Sequence, residues 1–192
     1  VGTALDQVMA SRQNDPSFTG NLHHLVLGYV SQSVGISGVA YVDVLCSRTY
    51  RFGTTRLYQY TTWSTFPSTY QWDIGSIAHE IGHNFGSHHT QWCGWTGGPI
   101  DNCYAVEGTC SPGPAPVNGG TIMSYCHLNT NYPMSNGFGP LPHTEIYNNF
   151  VAATCKSTSC SGIITPTPTC SDGIQNGDET GVDCGGSCVA CG

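Results

Sequence analysis

His79 and His83, four residues apart with Glu80 between them, are the side chains in this sequence best placed to do chemistry. On a helix, imidazoles at i and i+4 share one face about a turn apart. Both can then reach a single Zn2+ at roughly 2.0–2.1 Å. Glu80 follows the first histidine, so its carboxylate can reach a metal-bound water without ligating the metal, the position of a general base. Gly86 can turn the chain, and a third imidazole arrives three residues later. Two adjacent histidines compete for that role. The spacing His-Glu-x-x-His-x-x-Gly-x-x-His selects His89 and leaves His88 out of register by one, as a surface or supporting side chain. Three protein ligands leave a fourth position for water, the mark of a catalytic rather than a structural zinc. Two histidines and a glutamate alone could be an ordinary polar helix face; the spaced glycine and third histidine make that chance reading weak.

Such a site must be carried by a helix, and the pattern predicts one. After Asp73, Ile74, Ile77, Ala78, Ile81 and Phe85 recur at three and four, one apolar stripe. Asp73 is a reasonable N-cap, and Gly86 is placed to end the helix in a left-handed conformation. Upstream, Leu5, Val8 and Met9 give helical spacing over residues 3–13, stopped by Asn14-Asp15-Pro16. Strand-like stretches cover 22–30 and 39–45, with another near 56–61. Residues 91–142 have little periodicity and much Gly, Pro and Cys, which reads as irregular loop tied by disulfides. Ile146, Tyr147, Phe150 and Val151 predict a last amphipathic helix over 143–155. Residues 161–169, containing Thr165-Pro166-Thr167-Pro168, read as a semi-rigid linker between a domain over 1–160 and a small Cys-rich module over 170–192. That module is too small for a core, and two disulfides among Cys170, Cys184, Cys188 and Cys191 would explain how it folds.

Composition narrows the partners. Five Lys and Arg against twelve Asp and Glu give a formal charge of -7 and no basic patch, which argues against nucleic acid. No apolar run approaches the ~20 residues of a membrane span. Eleven cysteines in 192 residues fit an oxidising compartment, hence a secreted, extracellular protein. The rival, a cytosolic protein with several structural zinc sites, is weakened because Cys188 and Cys191 form the only CxxC. The odd cysteine count and the start at Val1 suggest a piece of a longer precursor.

These residues resemble the metzincin zinc endopeptidases, and His79-Glu80-Ile81-Gly82-His83-Asn84-Phe85-Gly86 is most similar to the adamalysin/reprolysin branch. The resemblance runs over roughly residues 1–155. It implies an α+β fold: a mixed twisted sheet, the active-site helix, an irregular disulfide-tied lower subdomain and a C-terminal helix. It also implies cleavage of protein or peptide substrates with one catalytic Zn2+ held by His79, His83 and His89, and Glu80 as base. Gly119-Gly120-Thr121-Ile122-Met123-Ser124-Tyr125-Cys126 resembles the methionine turn beneath the metal, with Met123 a structural floor. Gly38, Val39, Ala40 and Tyr41 are similar to the edge strand along which an extended substrate lies antiparallel. By the same resemblance Cys46 would bridge to Cys155 or Cys160, and Cys93, Cys103, Cys110 and Cys126 would pair among themselves.

There are departures. Adamalysins usually place Asp after the third histidine, where Thr90 stands, so that supporting contact is missing. Tyr125, two residues beyond Met123, is instead as in astacins and serralysins, where it can hydrogen-bond the developing oxyanion. The strand–helix–strand segment that normally begins the domain is absent, which again suggests an N-terminally truncated chain. The tail resembles short Cys/Gly/Asp repeats that attach secreted enzymes to further domains or a surface. Asp172, Asn176, Asp178 and Asp183 could supply oxygens for Ca2+, although their spacing matches no EF-hand loop. The alternative from another functional class is a non-catalytic, zinc-stabilised extracellular binding or adhesion module.

Overall fold

Two strands of the sheet each carry a glycine, Gly38 and Gly53, and there a helix side chain lies close to the sheet. The computed structural model describes residues 1–17, 20–28, 37–57, 71–116, 119–128, 136–156, 170, 180–181 and 184–191. The chain divides into two compact units, Val1–Lys156 and Ser157–Gly192.

In the first unit, helix α1 (Gly2–Arg12) precedes strands β1 (His23–Leu27), β2 (Gly38–Ala40) and β3 (Phe52–Arg56). The strand order is β1-β3-β2, with β1 parallel and β2 antiparallel to β3, so β2 is an edge among the described residues. Val39 lies opposite Thr54, and Leu25 opposite the same residue on the other side. Helix α2 (Gln71–Asn84), a short 3-10 turn at Cys126–Leu128 and helix α3 (Pro140–Ala152) complete the unit. This is the α+β architecture with a mixed sheet that the sequence implied. No helix among the described residues is long and apolar enough to cross a membrane.

Three local expectations are corrected. Asp73 is not an N-cap: α2 begins at Gln71 and places Asp73 in its first turn. The third strand is Phe52–Arg56 and not 56–61, most of which lies outside the described residues. Strand β2 is shorter than 39–45 because the chain turns, with Asp43 at φ 54° and Cys46 at φ 73°.

The apolar stripe of α2 does not face the core. Ile74 is 37% exposed, and Ile77, Ile81 and Phe85 are only half-buried. The buried face is Asp73, Ser76, Glu80, His83 and Asn84, again at three and four. The physical reason is the receiving surface. Its glycines leave polar side chains close against the backbone: a Cβ added at Gly53 would lie 3.2 Å from Asn84 Oδ1, and one added at Gly38 would meet the Glu80 side chain.

Asn84 shows how this works: fully buried, its Nδ2 donates to the carbonyls of Tyr41 (3.0 Å) and Phe52 (3.2 Å), beside both strands. Its own carbonyl accepts from the N–H groups of Val44 and Leu45 (3.0 and 3.1 Å), and that of His83 from Asp43 (2.9 Å). The helix ends in a Schellman turn, with Gly86 N–H on His83 O (2.8 Å) and Ser87 N–H on Gly82 O (3.0 Å). Gly86 has φ 100°, and a Cβ there would collide with Asn149, whose Nδ2 donates to Phe85 O (3.0 Å). The last carbonyls of α2, which a helix leaves unpaired, are thus satisfied from the 41–46 turn and from α3. Disulfide Cys46–Cys155 ties those same two segments together.

Cys93–Cys110 and Cys103–Cys126 cross within the irregular region, the four cysteines pairing among themselves as the resemblance implied. In the second unit, Cys170–Cys188 and Cys184–Cys191 bracket a bridge between Gly181 and Cys184. Cys160, the 161–169 linker and the proposed Ca2+ side chains Asp172, Asn176, Asp178 and Asp183 lie outside the described residues.

Candidate metal centre

Helix α2 delivers His79 and His83 one turn apart, and the Schellman turn sends the chain back so that His89 reaches the same point. The three Nε2 atoms lie 3.1 Å (79–83), 3.0 Å (83–89) and 3.1 Å (79–89) from one another. They form a group able to hold a metal ion. His88, as its register required, is elsewhere: its ring stacks on Trp92 at 3.7 Å.

The proton inventory decides what this cluster wants. His79 Nδ1 donates to Ile122 O (2.6 Å) and His83 Nδ1 to Ser87 O (2.7 Å). A carbonyl only accepts, so both Nδ1 atoms carry the proton. His89 Nδ1 donates to Glu107 Oε1 at 2.6 Å. Neutral imidazole has one N–H, so each Nε2 directs a lone pair at the other two. Burial then lowers the pKa of His83 to about 4, helped by the neighbouring His89, and lowers that of His79 well below its ordinary value. Protonation is therefore a poor escape from that repulsion. A cation at the centre resolves it, and four-coordinate zinc spaces such nitrogens roughly 3.3 Å apart. The donor set fits zinc.

Glu80 is 6% exposed, and burial pushes its carboxyl up to about 8 in the absence of a cation. The carboxylate lies over Gly38 of the edge strand: a Cβ built on Gly38 would be 2.6 Å from Glu80 Cγ and 2.7 Å from Cδ. Of the edge-strand residues expected from the sequence, Gly38, Val39 and Ala40 form β2, and Tyr41 follows it.

Met123 is fully buried beneath α2, and a Cβ on Gly82 would sit 2.8 Å from its sulfur. The turn that holds it closes by Ser124 N–H on Thr121 O (3.0 Å), and Ser124 Oγ both accepts from Thr121 N and donates to Thr121 O (2.9 Å each). Thr90 N–H reaches Met123 O (3.2 Å), which joins the third-histidine segment to this turn. Tyr125 brings its hydroxyl 3.2 Å from His89 Nε2. Burial, then the Glu107 and Glu80 carboxylates, push that hydroxyl up to about 12, so it keeps its proton.

One member was not anticipated. Glu107 accepts from the Nδ1 of His89. Its only signal in the sequence is a carboxylate between Cys93 and Cys110.

The family model described as "Metallo-peptidase family M12B Reprolysin-like" matches residues 5–141, a span that contains every residue of this cluster. No curated protein matches the chain.

Proposed function

Because the chain belongs to the reprolysin-like metallopeptidases of family M12B, we propose that it is a secreted zinc endopeptidase with Glu80 as its general base. One observation carries the reading: three lone pairs converge, and all three Nδ1 protons are already engaged. The five disulfides support an extracellular setting.

His79, His83 and His89 would hold the metal, which when bound supplies a Lewis acid and a water acidic enough to react near neutral pH. The protein's residues do the rest. Among the described residues β2 pairs with β3 alone, and an extended peptide adding antiparallel to Gly38–Tyr41 on its other side would be oriented by backbone hydrogen bonds. Glu80, beside Gly38, takes a proton from water as it adds to the carbonyl and gives one to the departing amine. Tyr125, protonated at neutral pH, donates a hydrogen bond to the oxygen on which charge develops. Met123 floors the site, and Gly86 makes the turn that brings in His89.

The test is digestion of casein with and without a zinc chelator. Digestion should stop on chelation and return with added zinc; digestion that persists in chelator sinks the reading. A second expectation concerns Gly38. Gly38→Ala should leave zinc content unchanged but lower kcat by about tenfold to a hundredfold, because the carboxylate must move from over the strand. Steady-state kinetics with a peptide substrate would show it.

A further inference from the structure

His89 is the only one of the three histidines whose Nδ1 is held by a charged group. The carbonyls of Ile122 and Ser87 serve the other two, while Glu107 Oε1 sits 2.6 Å from His89. We propose that Glu107 is the positioning residue that fixes the orientation and donor strength of His89, and so sets the metal affinity of the site. This rests on the zinc reading above.

The chain builds this contact deliberately. Glu107 Oε1 also accepts from Gln91 Nε2 (3.1 Å), and Gln91 is fully buried. The backbone of Glu107 is held on both sides: its N–H reaches Gln91 O and its carbonyl accepts from Cys93 N–H, 3.0 Å each. Trp92 and Glu107 thereby form a parallel bridge, and Cys93–Cys110 closes the loop around it. The next residue, Gly108, has φ 122°, and a Cβ there would press on Cys93 at 2.9 Å. The backbone geometry that presents the carboxylate is therefore specific to glycine at 108.

His89 needs such help more than its partners do. His79 and His83 stand on one rigid helix, whereas His89 lies beyond the Schellman turn in irregular chain. A carboxylate on Nδ1 holds the ring against rotation and increases electron density at Nε2, the atom that meets the metal. A peptide carbonyl does the first but less of the second.

The experiment uses the full chain with Glu107→Gln, Glu107→Ala and Glu107→Asp. Zinc affinity is measured by competition with a chromophoric chelator, Co2+ spectra are recorded, and thermal unfolding of the metal-free proteins serves as control. Glu107→Ala should bind zinc about 10- to 100-fold more weakly. Glu107→Gln should fall between it and the parent, since an acceptor remains and the charge does not. Glu107→Asp should recover part of the loss. The Co2+ spectrum should shift in Ala and Gln, with metal-free unfolding unchanged in Gln. Affinity and spectrum equal to the parent's in the Ala and Gln variants would overturn the role of Glu107 alone. So would an affinity loss in Gln accompanied by equal destabilisation of the metal-free fold. A parent chain that binds no zinc would instead remove the underlying reading.

Discussion

Glu80→Gln is expected to lower kcat/KM by about 10³- to 10⁴-fold while the protein stays folded and keeps its zinc. Gln has the shape of Glu and can sit over Gly38 as Glu80 does, but it cannot take a proton. Stability should hold or rise, because burial already disfavours the charged carboxylate and Gln removes that cost. Peptide hydrolysis rates and zinc content measured on the same preparation separate the cases. A rate within about tenfold of the parent would remove Glu80 as base. Unchanged zinc and no hydrolysis in the parent itself would favour the binding-module alternative.

His83→Ala should be the more damaging change. His83 is 6% exposed and its Nε2 lies within 3.1 Å of both other ligands, so two imidazoles remain where three are needed. Zinc should be absent from the purified protein and hydrolysis undetectable; a metal-loaded, active variant would refute the ligand set. Losing the metal also removes the folding free energy it contributes.

The chelated parent gives a companion measurement with a defined sign. His83 has its folded pKa lowered to about 4, so its contribution to stability is present above the ordinary value of 6.5 and is lost as pH falls toward 4. His79 acts in the same direction. Glu80, raised to about 8 from 4.5, acts oppositely: its contribution is present below 4.5 and lost as pH rises toward 8. Metal-free stability should therefore rise from acid to about pH 6.5 and decline toward pH 8, and Glu80→Gln should remove the decline. Denaturant unfolding at fixed pH values measures it.

The grouping of the three histidines was legible because it is a matter of local spacing. Four residues along a helix bring His79 and His83 onto one face in any fold, and the turn at Gly86 limits where His89 can go. The orientation of α2 was not legible. Its apolar stripe suggested a buried hydrophobic face, yet Asn84 and Glu80 point inward, because Gly53 and Gly38 leave room for them and the carbonyls of Tyr41 and Phe52 accept from Asn84. Periodicity reports a face but not what waits opposite it. Glu107 was hidden for a related reason. Its approach to His89 depends on backbone pairing across a loop with no repeat, for which sequence carries no period. Thr90 signalled only that the usual supporting contact is missing.

The two crossed disulfides have a consequence for survival near a protease's own active site. Cys93–Cys110 and Cys103–Cys126 overlap, so a break in any one peptide bond between Cys93 and Cys126 leaves the two ends covalently joined. Cys46–Cys155 encloses both. Loops without regular structure are what proteases cut most readily. In this chain the loop between Cys93 and Cys126 is one where a single nick releases no fragment.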